Sequence, residues 1–144
     1  MSRPLVPMKL MLAVLGLVAL ASGSALAQNP RASEAQAAAR TWLALTDASD
    51  VEGSWKAGGK KFRASLDTES WEEALKKVRT PLGSVIGRAL LATRFTDTMP
   101  GGPAGEYAQI LYETNFSEVG PARETVTLER EADGVWRVIG YYIS

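Results

Sequence analysis

The chain has 144 residues, with 16 basic and 16 acidic side chains, no histidine and no cysteine. That balance, with no clustered basic excess, argues against nucleic acid as a partner. The missing histidine and cysteine exclude Ser-His-Asp and Cys-His nucleophile systems, zinc sites built on imidazole or thiolate, and any disulfide framework.

Arg3 and Lys9 precede an apolar run, Leu10 to Ala21, and small residues lead on to Ala25-Leu26-Ala27. A positive start, a short apolar run and an A-x-A end predict a secretory signal peptide, cleaved between Ala27 and Gln28. A membrane anchor is the rival reading, but a run of about a dozen residues falls short of the roughly 20 that a bilayer span needs. No cysteine stands at the cleavage point to carry a lipid. The expected organisation is a leader over 1–27 and a single domain over 28–144, periplasmic and without stable membrane insertion. Two basic residues leave with the leader, so 14 basic face 16 acidic side chains in the mature domain.

Residues 28–32 read as a short mobile leader to the domain. Ser33 as N-cap with Gln36 three residues on fits a capping box. Ala35, Ala38, Ala39, Trp42 and Leu45 then recur at helical spacing, to about Ala48. Gly53 to Phe62 is ambiguous, because Gly58-Gly59 weakens a continuous helix. Trp71, Ala74, Leu75 and Val78 form the apolar stripe of another helix, which starts near Thr68 or Glu69 and is ended by Pro81. Its Glu72–Lys76 and Glu73–Lys77 pairs and its closing cations need no functional explanation.

Strands follow. Residues 85–97 are β-rich, and 99–105 are a Gly/Pro loop. Residues 106–116 place Ala108, Ile110, Tyr112, Thr114 and Phe116 on one face, and Gly120-Pro121 turns the chain. Residues 123–131 alternate cleanly, and Asp133-Gly134 is a hairpin signal before Val135 to Ile143. Helices first and then a four-stranded antiparallel meander define an α+β class.

Several blocks resemble one family when taken together. They are Trp42-Leu43-Ala44-Leu45-Thr46-Asp47, Ser54-Trp55, Trp71, Arg79-Thr80-Pro81-Leu82-Gly83 with Arg88, the loop Pro100 to Tyr107, Glu124-Thr125-Val126-Thr127, and Asp133 to Tyr141. This ordered series resembles an uncharacterised bacterial family, domain of unknown function 4019, from about Ala35 to Ile143. The resemblance implies export in Gram-negative bacteria and brings no known activity or catalytic residue. More distantly, helices before a curved sheet ending in Trp-Arg-Val-x-Gly-Tyr look like the nuclear-transport-factor-2-like cone. That fold hosts isomerases, dehydratases and binding modules alike.

Among the polar residues, Arg79, Arg88 and Arg94 stand out. Arg88 and Arg94 are six apart, so a straight strand puts them on one face. Either a guanidinium on the concave side of the sheet clamps a ligand carboxylate, or it makes a structural ion pair, to Glu113 or Glu124, or lies exposed at an edge. The structural reading carries more weight. Trp55, Trp71, Tyr112 and Trp136 either line an apolar pocket or are simply core. Asp47, Asp50 and Glu52 read as a solvated turn rather than a cation site, since the EF-hand spacing is absent. Lys60, Lys61 and Arg63 likewise read as a solvated turn.

The ligand-site candidates are therefore Arg88, Tyr112 and Trp55, with no catalytic residue, metal or cofactor assigned. The function expected is a non-catalytic periplasmic domain that binds a small ligand or an envelope protein, with homodimerisation through a sheet edge as a further possibility. The alternative is an isomerase, dehydratase or hydrolase using a pocket carboxylate with Tyr and Arg. It requires a buried Asp or Glu of raised pKa facing a cavity.

Overall fold

The computed structural model describes residues 29–144. The expected leader and its Ala27/Gln28 junction lie outside the described residues. Asn29 caps α1 (Pro30–Asp47), its side chain accepting from Arg31 N at 3.0 Å, and Pro30 takes the first helical position. Proline is suited to that position because its missing N–H would have no partner there anyway. The helix thus begins a turn before the Ser33 cap expected from sequence, and residues 30–32 are helix rather than leader. Gln36 is free of the cap and donates from Nε2 to Thr93 Oγ1 at 2.9 Å, tying the helix to the sheet.

The ambiguous segment resolves into two short helices, α2 (Val51–Ala57) and α3 (Lys60–Ser65), separated at Gly58-Gly59. Gly59 is needed for close approach. A Cβ there would sit 3.0 Å from Ile139 Cγ2, and its amide donates to Val138 O at 2.7 Å. Helix α4 (Thr68–Val78) is capped by Asp67, which accepts from Ser70 N at 2.7 Å. Its Glu72–Lys76 pair forms at 3.2 Å on the exposed face. A 3-10 turn, Thr80–Leu82, and Gly83 at φ +85° swing the chain into the sheet.

Strands β1 (Val85–Thr96), β2 (Tyr107–Phe116), β3 (Gly120–Arg130) and β4 (Trp136–Ile143) pair antiparallel in sequence order. The architecture is α+β, with helices preceding one open, curved antiparallel meander. The reversal between β2 and β3 falls at residues 117–119, so Gly120, at φ +76°, already belongs to β3.

The inner face of the sheet carries Ile110, Val126, Leu128, Trp136 and Val138 against Ala35, Ala39, Trp42 and Leu43 of α1, all buried. Trp42 packs at 5.2–5.9 Å from the rings of Phe62, Trp71 and Tyr141. Ser54, fully buried on α2, organises this cluster: its carbonyl accepts from Trp42 Nε1 at 3.0 Å and its hydroxyl from Trp71 Nε1 at 2.8 Å.

Besides a register shift between Val85 and Gly87, two bulges decide which side chains face inward. Leu90 opposes Tyr112 but Ala92 opposes Leu111, so Leu91 is an extra residue on β1. An unpaired residue shifts the alternation by one. Arg88 therefore stands opposite inward-facing Thr114, whereas Arg94 stands opposite Gln109 on the outer face. The common face expected for Arg88 and Arg94 holds only for an unbulged strand and is corrected here. On β4, Ile139 is the extra residue between Val138, opposite Leu128, and Gly140, opposite Thr127. It turns Tyr141 inward, opposite Val126, and leaves Tyr142 exposed.

Candidate functional site

At the end of the sheet nearest the termini of α1 and α4, every strand contributes one polar side chain to a single cluster. Its centre is Glu124 on β3, fully buried. Arg88 on β1 donates from Nε to Glu124 Oε1 at 2.7 Å. Thr114 on β2 donates to the same oxygen, and Tyr141 on β4 donates its hydroxyl to Oε2. Arg79, just past α4, donates from Nη1 to the Tyr141 hydroxyl at 3.3 Å and lies 4.0 Å from Glu124 Oε2.

The second carboxylate is Asp47, the last residue of α1. A helix C-terminus disfavours an anion, so its place there needs a compensating cation, and it has two. Arg88 donates from Nη1 to Oδ2 at 2.9 Å and from Nη2 to Oδ1 at 3.0 Å, while Arg79 Nη2 reaches Oδ1 at 2.8 Å. Two guanidiniums and two carboxylates thus cancel in charge. Reading Asp47 as part of a solvated turn is corrected by these bonds; Asp50 instead caps α2, accepting from Gly53 N at 2.9 Å.

The shifts follow. Burial works against the Asp47 carboxylate, but hydrogen bonds from Arg88 and Arg79 outweigh it and hold its pKa below the ordinary 3.8. Burial likewise opposes charge on Arg88, and its bonds to Asp47 and Glu124 win, raising its pKa. Tyr141 is pushed up by burial and by the Glu124 charge.

Beside this cluster α1 and the β1–β2 pair leave an open depression of about 340 Å³. Arg40, Ala44 and Asp47 line one wall at i, i+4, i+7 spacing, and Arg88, Leu90 and Tyr112 line the other. Two of the sequence candidates, Arg88 and Tyr112, are brought together here, with the guanidinium carbon 6.0 Å from the ring. Arg88 already grips a carboxylate bidentately, that of Asp47. The Glu124 partner foreseen for it is formed, whereas Glu113 pairs across the strands with Ala89. Tyr112 is 4% exposed, and its hydroxyl is buried without a hydrogen-bond partner. Burial raises its pKa, against the pull of Arg40 and Arg88.

Trp55 stands elsewhere. It packs on the core from α2, half-buried, and donates from Nε1 to Leu66 O at 2.7 Å. Trp71 and Trp136 are core residues. In the basic stretch, Lys61 stays partly in solvent but is held in place: it bonds the Tyr107 hydroxyl at 2.8 Å and pairs with Glu129. Sequence reasoning missed Arg40 and the role of Asp47, although their shared helical stripe with Ala44 was a usable signal. Among the described residues, no group of three or more Asp, Glu, His or Cys is placed to hold a metal. No described helix is long and apolar enough to cross a membrane.

Fold and site together define an α+β domain whose polar centre is internally neutralised. The chain belongs to the family described as protein of unknown function (DUF4019), whose profile matches residues 38–141. A comparison with curated proteins finds no match.

Proposed function

We propose that the protein is an exported, non-catalytic binding domain of the bacterial periplasm, with its small-molecule site in the depression between α1 and the β1–β2 pair. The reading rests above all on the pairing of both carboxylates of the site. A general base in a dehydratase or isomerase works best with a pKa near the operating pH. Asp47, the carboxylate that lines the depression, is displaced the other way, below 3.8. Glu124 is buried behind Arg88, Thr114 and Tyr141 and lines none of the depression's walls. In this depression that favours binding over the enzymatic alternative, and by area its walls are mostly apolar, as in small-ligand sites.

Export is supported by the Arg3/Lys9, Leu10–Ala21, Ala25-Leu26-Ala27 pattern. The helices-then-curved-sheet order supports the nuclear-transport-factor-2-like cone as the architecture, and the outer edge of β1 supports homodimerisation as a secondary property.

Native mass spectrometry of the protein, gently purified from cells expressing the full chain, tests this reading. It predicts a chain beginning at Gln28 in the envelope's soluble fraction, with a co-purifying small-molecule mass. A bare chain that instead crosslinks to an envelope protein replaces the small ligand with a protein partner. An unprocessed cytoplasmic chain overturns export.

A further inference from the structure

The ligand-binding reading leaves the chemical class of the ligand open, and the walls of the depression narrow it. Asp47 and Glu124 balance Arg79 and Arg88. Arg40, on the α1 wall, makes no ion pair among the described residues and adds an uncompensated positive charge. The remaining surface is apolar: Ala44, the Tyr112 ring, and Leu90, which is 46% exposed despite facing inward on β1. Tyr112, which lines the depression, also carries a hydroxyl that is buried with no partner among the described residues. Leaving such a group unpaired is costly, so a native structure that keeps one calls for a partner from outside.

A second depression, of about 310 Å³ over Trp136, also shields an unpartnered group, the indole Nε1. Its charged wall is Arg137, already held by Glu131 at 2.7 Å and Asp133 at 2.8 Å. It therefore offers no free charge to select a ligand.

We propose that the Arg40–Tyr112 depression is a carboxylate-selective site. It takes a small organic monoanion whose carboxylate pairs with Arg40 and whose apolar body lies on Leu90, Ala44 and the Tyr112 ring. A ligand oxygen reaching the floor supplies the hydrogen-bond partner that the Tyr112 hydroxyl lacks. Arg88 is a positioning residue: with its fork closed on Asp47, it fixes the wall and leaves anion recognition to Arg40. The inference rests on the ligand-binding reading above and deepens it.

Amide-resolved NMR titration of the purified protein with benzoate and with benzamide, its uncharged counterpart, tests the inference. Benzoate is expected to shift Arg40, Ala44, Leu90 and Tyr112 saturably and to bind about tenfold tighter than benzamide, as one charge-assisted contact provides. Arg40→Gln should abolish that preference. Tyr112→Phe, which keeps the ring, should weaken benzoate about fivefold, and Arg94→Gln on the outer face should change nothing. Equal binding of the two probes, unaltered by Arg40→Gln, overturns the carboxylate class while leaving a small-molecule site in place. Shifts at these residues from neither probe overturn the site itself, and with it the ligand-binding reading. A Tyr112→Phe affinity equal to that of the parent removes the hydroxyl from recognition.

Discussion

Arg88 on β1 and Glu124 on β3 are joined by a 2.7 Å hydrogen bond that spans the intervening strand β2. Thr114, on β2 between them, donates to the same Glu124 oxygen. The charge pair therefore spans three adjacent strands, and Asp47 extends it to α1. A buried charge is costly unless paired and fully hydrogen-bonded. The neutral, bonded set meets that condition, but no member can be removed without stranding another.

Glu124→Gln leaves Arg79 and Arg88 with one anion between them in a mostly buried setting. Breaking such a buried pair from one side costs about 3–5 kcal/mol. Urea unfolding should show an unfolding free energy lowered by that amount, and an unchanged midpoint would mean that Glu124 is not the anchor described.

Acid should unlock the same cluster from its other carboxylate. Asp47 has a lower pKa folded than its ordinary 3.8, so between the two values the unfolded chain binds more protons. Its contribution is fully present above 3.8 and is lost as the pH falls through the folded value. Stability measured against pH should fall on acidification below about 4, and Asp47→Asn should flatten part of that slope while lowering stability at neutral pH.

In the aromatic cluster, Ser54→Ala removes the hydroxyl that accepts from Trp71 Nε1 and leaves that buried donor unpaired. The expected loss is about 1–3 kcal/mol. The Trp42 bond goes to the Ser54 carbonyl and should survive, so Trp71 rather than Trp42 should report the change in indole NMR signals.

Gly83 connects the 3-10 turn to β1 at φ +85° and ψ −162°, a region open essentially to glycine alone. A Cβ there would run into the Ser117 hydroxyl and lie 3.0 Å from Glu118 N. Gly83→Ala should cost more than the roughly 1–3 kcal/mol of the backbone conformation alone, read as a lowered thermal midpoint.

The fold was legible wherever periodicity carried it. The Trp71–Val78 stripe gave α4, and the alternation of Ala108, Ile110, Tyr112, Thr114 and Phe116 gave the inner face of β2. Local chemistry that competes with an equally good signal was harder to place: Ser33–Gln36 mimics a capping box, but Asn29-Pro30 starts the helix. The site was half legible. Arg88 and Tyr112 sit two residues from neighbouring-strand partners of each other, since Leu90 pairs with Tyr112 and Arg88 with Thr114, and this pairing follows once the hairpin is known. The bulge at Leu91, which separates Arg88 from Arg94, leaves no mark in composition. Asp47 looked like a turn residue because Asp50 and Glu52 crowd the same short polar stretch, and only tertiary packing brings two arginines to it.

The most direct test of the account is a crystal structure of the protein purified without harsh washing. The prediction is non-protein density in the depression, touching Arg40 and Tyr112, while Arg88 still holds Asp47 and Glu124. Density bound instead by an Arg88 or Asp47 released from the other would contradict a structural role for that pair and return the site to the carboxylate-clamp or catalytic reading.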